Sequence, residues 1–363
     1  MAIHSGMRTF RSDNNAGLCP EALRAMIDAN DGSHQVGYGD DVFTARAVAA
    51  FHDLFGHEAA VFFVATGTAA NTLTVTALTE PWQRVLCHAH SHLSDDESTA
   101  PERFSHCRMT VIRTESSKLT VEDVQEYGGM TRGDVHQPAP GVLSISNPTE
   151  FGTVYTPDET AAICEAAHRM GYRVHVDGAR FANAVAHLGC DPRELTVSAG
   201  VDALSFGGTK NGLAFGEAVL FFPQGDRSLF TRAVGTFPFH RKGTGHLLSK
   251  HRFVAAPFEA VLRSGAWLHH AAHANRMALM LSEALRDTGV SVRFPTQANG
   301  VFASLAPTVE SALRARGHQF YTFGEPSWNM ARFMCSHDTH EDDVRGLAMD
   351  AAKAIGGAAA SAR

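Results

Sequence analysis

Between residues 40 and 222, short apolar runs alternate with longer stretches of helical period. Ala59–Val64 reads as a strand, as do Arg84–Cys87, Met109–Ile112, Gly141–Ile145, Tyr172–Val176 and Asp202–Phe206. Short apolar runs bounded by turn residues suit strands buried in a sheet. Gly67–Thr79 reads as a helix, and Pro157–Met170 carries a full set of boundary signals. Thr156 can cap the second helix, Pro157 suits its first position, and Gly171 ends it. Strands and helices in alternation predict a mostly parallel sheet with helices on both faces.

The pattern changes beyond this region. Leu247–Asp287 reads as long helices broken near Arg263-Ser264-Gly265. Strands follow near Val292, at Val301-Phe302-Ala303 and at Arg332–Cys335, with a last helix from about His340. The expected organisation is a large α/β domain at 1–245 and a smaller C-terminal α+β domain at 246–363. Gly356–Arg363 is low in complexity and reads as a frayed tail. There is no internal repeat.

A chain of 363 residues can build two domains, and 44% hydrophobic with 19% charged residues describes an ordinary soluble protein. The net charge is −7, with no dense basic patch, which argues against a nucleic-acid or membrane partner. The apolar runs are too short to span a bilayer. Met1–Arg11 has no apolar core of a secretory signal. Cys19, Cys87, Cys107, Cys164, Cys190 and Cys335 are scattered, without CxxC or metal spacing. They read as buried thiols in a reducing cytoplasm.

Two strand ends carry the most chemistry. His175-Val176-Asp177-Gly178-Ala179-Arg180 leaves an acid at one, and Ser205-Phe206-Gly207-Gly208-Thr209-Lys210 leaves a lysine just past another. In open α/β sheets, ligands bind at the carboxyl ends of strands. An acid and an amine placed there suit pyridoxal phosphate (PLP): the carboxylate keeps the ring nitrogen protonated and the amine forms the Schiff base. The plain alternatives are Asp177 as a helix N-cap and Lys210 as a snorkelling surface residue. Thr66-Gly67-Thr68-Ala69-Ala70-Asn71 joins a strand to a helix, whose first N–H groups form an anion site. Its plain alternative is a turn capped by Thr68. His88, His90 and His92 alternate, with Asp95, Asp96 and Glu97 behind them. A metal site is the tempting reading, but no second His/Cys cluster completes a ligand set, so none is expected. A histidine packed on a cofactor ring fits better. Ser12 opens a polar, turn-prone segment, and Arg332 opens a strand where it can fork onto a carboxylate or form a surface ion pair.

The collinear order of these pieces resembles the L-threonine aldolases, especially their low-specificity and phenylserine-aldolase-like members. These belong to the PLP-dependent β-eliminating lyase group, with the aspartate-aminotransferase-type fold (fold type I). The resemblance runs from Ser12 to about Asp343. It rests on Ser12–Gly17, Tyr38-Gly39-Asp40-Asp41, Thr66–Asn71, His92 with Glu97, Asp177–Arg180 and Gly208–Gly212. It implies that Lys210 carries PLP, Asp177 pairs with the ring nitrogen, Gly67 and Thr68 hold the phosphate, and His92 stacks on the ring. It also implies that Ser12, Arg180 and Arg332 surround a substrate carboxylate, with Arg180 also near the cofactor. The implied reaction cleaves a β-hydroxy-α-amino acid to glycine and an aldehyde. The implied assembly is a homodimer or homotetramer with shared sites, in which Tyr38 and Ser249-Lys250-His251-Arg252 reach a neighbour. One departure stands out. Some members have a histidine where Asn147-Pro148-Thr149-Glu150 ends in Glu150, so Glu150 or water joins His92 as a candidate base. The rival readings are β-elimination, racemisation or transamination on the same scaffold, a non-catalytic protein, and a metal hydrolase using His88–His92.

Overall fold

Alternate residues of a buried strand face opposite sides of the sheet, and both sides here find apolar partners. The computed structural model describes residues 9–225 and 227–361. The large sheet contains β1 (Ala60–Val64), β2 (Gln83–His88), β3 (Arg108–Ile112), β4 (Ala139–Ser146), β5 (Arg173–Gly178), β6 (Ala203–Gly207) and β7 (Glu217–Phe221). Their order is β1-β7-β6-β5-β4-β2-β3. The pairs β6/β5, β5/β4, β4/β2 and β2/β3 are parallel, while β7 runs antiparallel to both neighbours. A second, antiparallel sheet holds β8 (Ser291–Val292), β9 (Gly300–Ser304), β10 (Tyr321–Thr322) and β11 (Met330–Met334), in the order β10-β11-β9-β8.

One face of the large sheet presents Val85, Cys87, Val142 and Val219 to the helices Gly67–Leu78 and Arg227–Gly243. The other presents Leu86, Leu143, Val174, Val176 and Leu220 to the helices Val42–Phe55, Pro157–Arg169, Phe181–Leu188 and Arg252–Ser264. This second core extends to Ala271, inside the long helix Ala266–Asp287. A separate core joins Phe10 to Met277, Leu281, Phe333 and Leu347 around the small sheet. Five of the six cysteines are buried and none is paired; Cys190 is half-buried. Among the described residues, no helix is long and apolar enough to cross a membrane.

Some boundaries differ from expectation for local reasons. Thr66, not Thr68, caps the helix at Gly67, because its hydroxyl sits where it can accept from Ala69 N–H (3.2 Å). Asp177 caps no helix. It lies within β5, and the next helix begins after Arg180. Arg332 lies in the middle of β11, which starts two residues earlier. The terminal helix extends from Glu341 to Ser361, through most of the stretch read as frayed; residues 362 and 363 lie outside the described set. Most of Met1–Arg11 lies outside it too. Strand β7 has no counterpart in the sequence reading.

The strand-end loops close on the sheet without room to spare. A Cβ on Gly207 would stand 2.1 Å from the Ala179 carbonyl oxygen and within 2.8 Å of two more Ala179 backbone atoms, which cannot swing aside as a side chain would. Gly207→Ala is expected to cost about 3 kcal/mol or more of stability. Gly235→Ala, in open space within a helix, is expected to be neutral or to add up to about 1 kcal/mol. Denaturant unfolding of the two variants measures the contrast.

Candidate active site

Strand β5 builds the floor of the site. Val174 and Val176 enter the apolar core, so His175 and Asp177 face the Gly67–Leu78 helix. His175 is wholly buried between the Ser144 and Ser205 hydroxyls, each 2.9 Å from a ring nitrogen. Burial pushes its pKa down to about 4, so it is a neutral bridge beneath the floor. Asp177 accepts from Asn71 Nδ2 (2.8 Å) and from Ala179 N–H (3.0 Å). Burial opposes its ionisation, but the charges of His92 and Lys210 outweigh burial and hold it below the usual carboxylate range. A buried carboxylate in this state offers a strong acceptor to a protonated ring nitrogen.

Lys210 follows β6 in a 3-10 turn, Thr209–Asn211. Burial, then the charge of Arg180, lowers its pKa. Among the described residues its Nζ makes no hydrogen bond or ion pair, so the amine is free for chemistry. Gly208 N–H beside it donates to Glu217 Oε2 (2.6 Å). Burial pushes Glu217 up to about 7.

The first N–H groups of the Gly67 helix have no acceptor within the helix. Nothing lies within 4 Å of the place where a Gly67 Cβ would be. Bare donors at the positive end of a helix, with space before them, suit a phosphate. His92 opens a short helix, His92–Asp95. Its Nδ1–H donates to Glu97 Oε1 (2.9 Å), and its backbone N–H to Glu150 Oε1 (2.8 Å). Glu97 raises the His92 pKa, and burial raises Glu97 itself. Burial also raises Glu150, whose Oε1 takes a second bond from the Ser146 hydroxyl (2.6 Å).

The two arginines differ sharply. Arg180 is forked onto Asp13, with Nε at 2.6 Å and a terminal nitrogen at 2.9 Å. Burial works against the Asp13 charge, but Arg180 and Asn299 Nδ2 (2.9 Å) hold its pKa down. Arg332 has no carboxylate partner among the described residues. Its Nε is buried and unbonded, and its guanidinium lies 5.0 Å from the Phe323 ring centre. Burial and the nearby Arg180 charge lower its pKa.

Ser12, Gly67, His92, Asp177, Arg180, Lys210 and Arg332 line one cavity of about 180 Å³, with Glu150 also on its wall. Thr68 is off the wall, one step further along the first helical turn. Tyr38 and Ser249 touch each other, through Tyr38 N–H and Ser249 O (3.0 Å), but lie outside the cavity. The three alternating histidines do not face one point. His88, held by Ser116 O and His90 N–H (3.0 Å each), packs with its ring 5.7 Å from that of His90, and both rings meet Phe151, whereas His92 turns to Glu97. Asp13, Asn71, Glu97, Asn299 and Glu217 take no role in the sequence reading. The first three sit inside motifs quoted there. Asn299 carries only the signal of a polar residue before an apolar strand, 286 positions from Asp13.

Residues 9–308 match the family model described as β-eliminating lyase. The chain belongs to the β-eliminating lyase family. Members of this family depend on PLP, and the cavity fits that group: a free amine, an ionised buried carboxylate and bare helix-start donors face one space. The chain is 48% identical over 344 residues to the low-specificity L-threonine aldolase of Pseudomonas aeruginosa, covering 94% of this chain and 96% of that protein. It is 47% identical to the low-specificity L-threonine aldolase of a Pseudomonas species, over 94% and 96%. Among solved structures, Leishmania major threonine aldolase superposes with a TM-score of 0.88 at 25% identity, covering 96% of this chain and 99% of that one. The architecture is fold type I, as expected.

Asp13→Asn is expected to cost about 3–5 kcal/mol at neutral pH, because it strands Arg180 as a buried, half-paired charge. The Asp13 pKa is lowered on folding. Its contribution is therefore present above the unfolded-state pKa and lost as pH falls through the folded one. Unfolding curves of the two proteins should accordingly converge below about pH 4.

Proposed function

We propose that this chain is a carbon–carbon lyase of the low-specificity L-threonine aldolase type. It cleaves L-β-hydroxy-α-amino acids (threonine, allo-threonine and phenylserine-like) reversibly to glycine and an aldehyde. The near-full-length likeness to the Pseudomonas aldolases carries this reading, and the geometry of the cavity supports it.

Bound PLP supplies an electron sink for the bond broken at Cα. Lys210 provides the amine that anchors it, and Asp177 keeps a proton on the ring nitrogen. The Gly67 and Thr68 N–H groups hold the phosphate. Arg332, with its fork unengaged, takes the substrate carboxylate. Arg180 lends charge beside it while bound to Asp13, and the Ser12 hydroxyl donates. Fixing the carboxylate fixes the rotation about Cα, which decides the bond that breaks.

His92 is the favoured base for the β-hydroxyl proton, besides packing on the cofactor ring. Glu97 holds its Nδ1–H, which leaves the Nε2 lone pair to accept. Glu150, the residue in the departing position, or water is the second choice. The same reading extends to a homodimer or homotetramer with shared sites, to which Tyr38 and Ser249–Arg252 contribute, in the cytoplasm. It keeps the two domains at 1–245 and 246–363, with the helix Arg252–Ser264 leaning back on the larger one.

The decisive assay incubates the protein and PLP with threonine, allo-threonine and phenylserine isomers. Glycine plus an aldehyde is the expected outcome; pyruvate with ammonia, or a stoichiometric keto acid, would replace this reading with another PLP reaction. Borohydride reduction followed by peptide mapping should label Lys210, and a label elsewhere refutes its role. Arg332→Leu should raise KM about 10–100-fold, the worth of a charged hydrogen bond. His92→Asn should lower kcat about 10²–10⁴-fold. Because Glu97 raises the His92 pKa, Glu97→Gln should move the acid limb of the pH–rate profile to lower pH.

A further inference from the structure

Behind the lysine loop, away from the cavity, three different donor side chains meet. Cys19 precedes the helix Pro20–Ala29, Glu21 lies in its first turn, and His270 comes from the helix Ala266–Asp287. Their sulfur, oxygen and nitrogen ligand atoms all lie within 4.8 Å of one another. Cys19 is fully buried, and the His270 side chain is only 12% exposed. Glu21, at 36%, leaves the cluster open to solvent on one side. His270 Nε2 lies 2.9 Å from Glu21 Oε2. Another imidazole lies near, outside that 4.8 Å grouping. The His337 ring is 5.4 Å from that of His270, and its Nδ1 is buried without a hydrogen-bond partner. His337 belongs to the loop that follows β11, the strand carrying Arg332.

We propose that Cys19, Glu21 and His270, with His337 as fourth donor, form a binding site for a zinc-class transition-metal ion outside the active site. The donor set selects the ion. Calcium and magnesium require mainly oxygen ligands. One thiolate, one carboxylate and imidazole together suit zinc and its neighbours, at about 2.3 Å to sulfur and about 2.0–2.2 Å to nitrogen and oxygen. On binding, the thiol proton leaves to solvent, and the ion takes the place of the hydrogen bond between Glu21 and His270. No electron transfer is involved.

The position gives the site a consequence. Cys19 N–H donates to Gly212 O (2.8 Å), and a Cβ on Gly212 would stand 2.9 Å from that of Cys19. Asn211 Nδ2 donates to Trp267 O (2.8 Å), one turn before His270 on the same helix. Lys210-Asn211-Gly212 is thus gripped by both elements that supply the donors. An ion there links the N-terminal segment, the long helix and the post-β11 loop, and stiffens the turn that carries Lys210.

The test is equilibrium dialysis of the cofactor-loaded protein against zinc sulfate in metal-free buffer. One zinc per chain is expected, with a higher Tm in its presence. Cys19→Ala and His270→Gln should each weaken binding at least about tenfold. X-ray absorption of the zinc-loaded protein should show one sulfur neighbour at about 2.3 Å. No saturable binding, affinity unchanged in both variants, or a shell of nitrogen and oxygen alone would overturn the site. If Cys19→Ala does not fold, His270→Gln and the absorption spectrum decide. Neither readout depends on which reaction the enzyme catalyses.

Discussion

A carboxylate at the end of a buried strand must be compensated, and the arrangement of Asp177 governs most of what surrounds it. Left alone, burial would neutralise it. It stays ionised because His92, Lys210, Asn71 and the Ala179 N–H converge on it from four parts of the chain. Each of these groups is therefore positioned by the same charge that serves the chemistry. The wall of the cavity and the floor of the sheet are one electrostatic unit.

The same constraint explains why the two arginines are not equivalent. Arg180 already has its carboxylate in Asp13, which Asn299 steadies from just before β9. That pair ties the N-terminal turn to the segment after β5 and, through Asn299, to the loop before β9. Arg332 has aromatic neighbours instead of a counter-ion. A cation kept half-buried without an anion of its own is poised to take one from a ligand. Glycines at the strand ends make the crowding possible, since Gly207 touches backbone where any side chain would collide.

Much of this was legible from local pattern. The runs at Ala59–Val64 and Tyr172–Val176 fall on β1 and β5, and Thr156, Pro157 and Gly171 bound their helix as their types demand. Asp177 and Lys210 stood out because a charge at the end of an apolar run is locally unusual. Strand β7 escaped because Glu217 begins it, although Asn211-Gly212 and Gly216 mark the turn that returns the chain antiparallel to β6. Thr66 and Thr68 are indistinguishable by type, and only the backbone geometry at the turn decides which hydroxyl reaches Ala69 N–H. In the histidine run, alternation alone leaves the placement of the rings open: His88 and His90 pack on each other and on Phe151, while His92 turns to Glu97.

By itself the sequence determined the alternating α/β layout, the acid and amine at two strand ends, and a family resemblance extending along nearly the whole chain. These are properties of short segments and of their order, which periodicity and residue type encode directly. The tertiary structure decided which charges neutralise one another. Asp13 meets Arg180 across 167 positions, Glu21 meets His270 across 249, and Arg332 meets no carboxylate among the described residues. Electrostatic pairing acts through space and depends on burial, so it is set only when the sheets and helices close on one another.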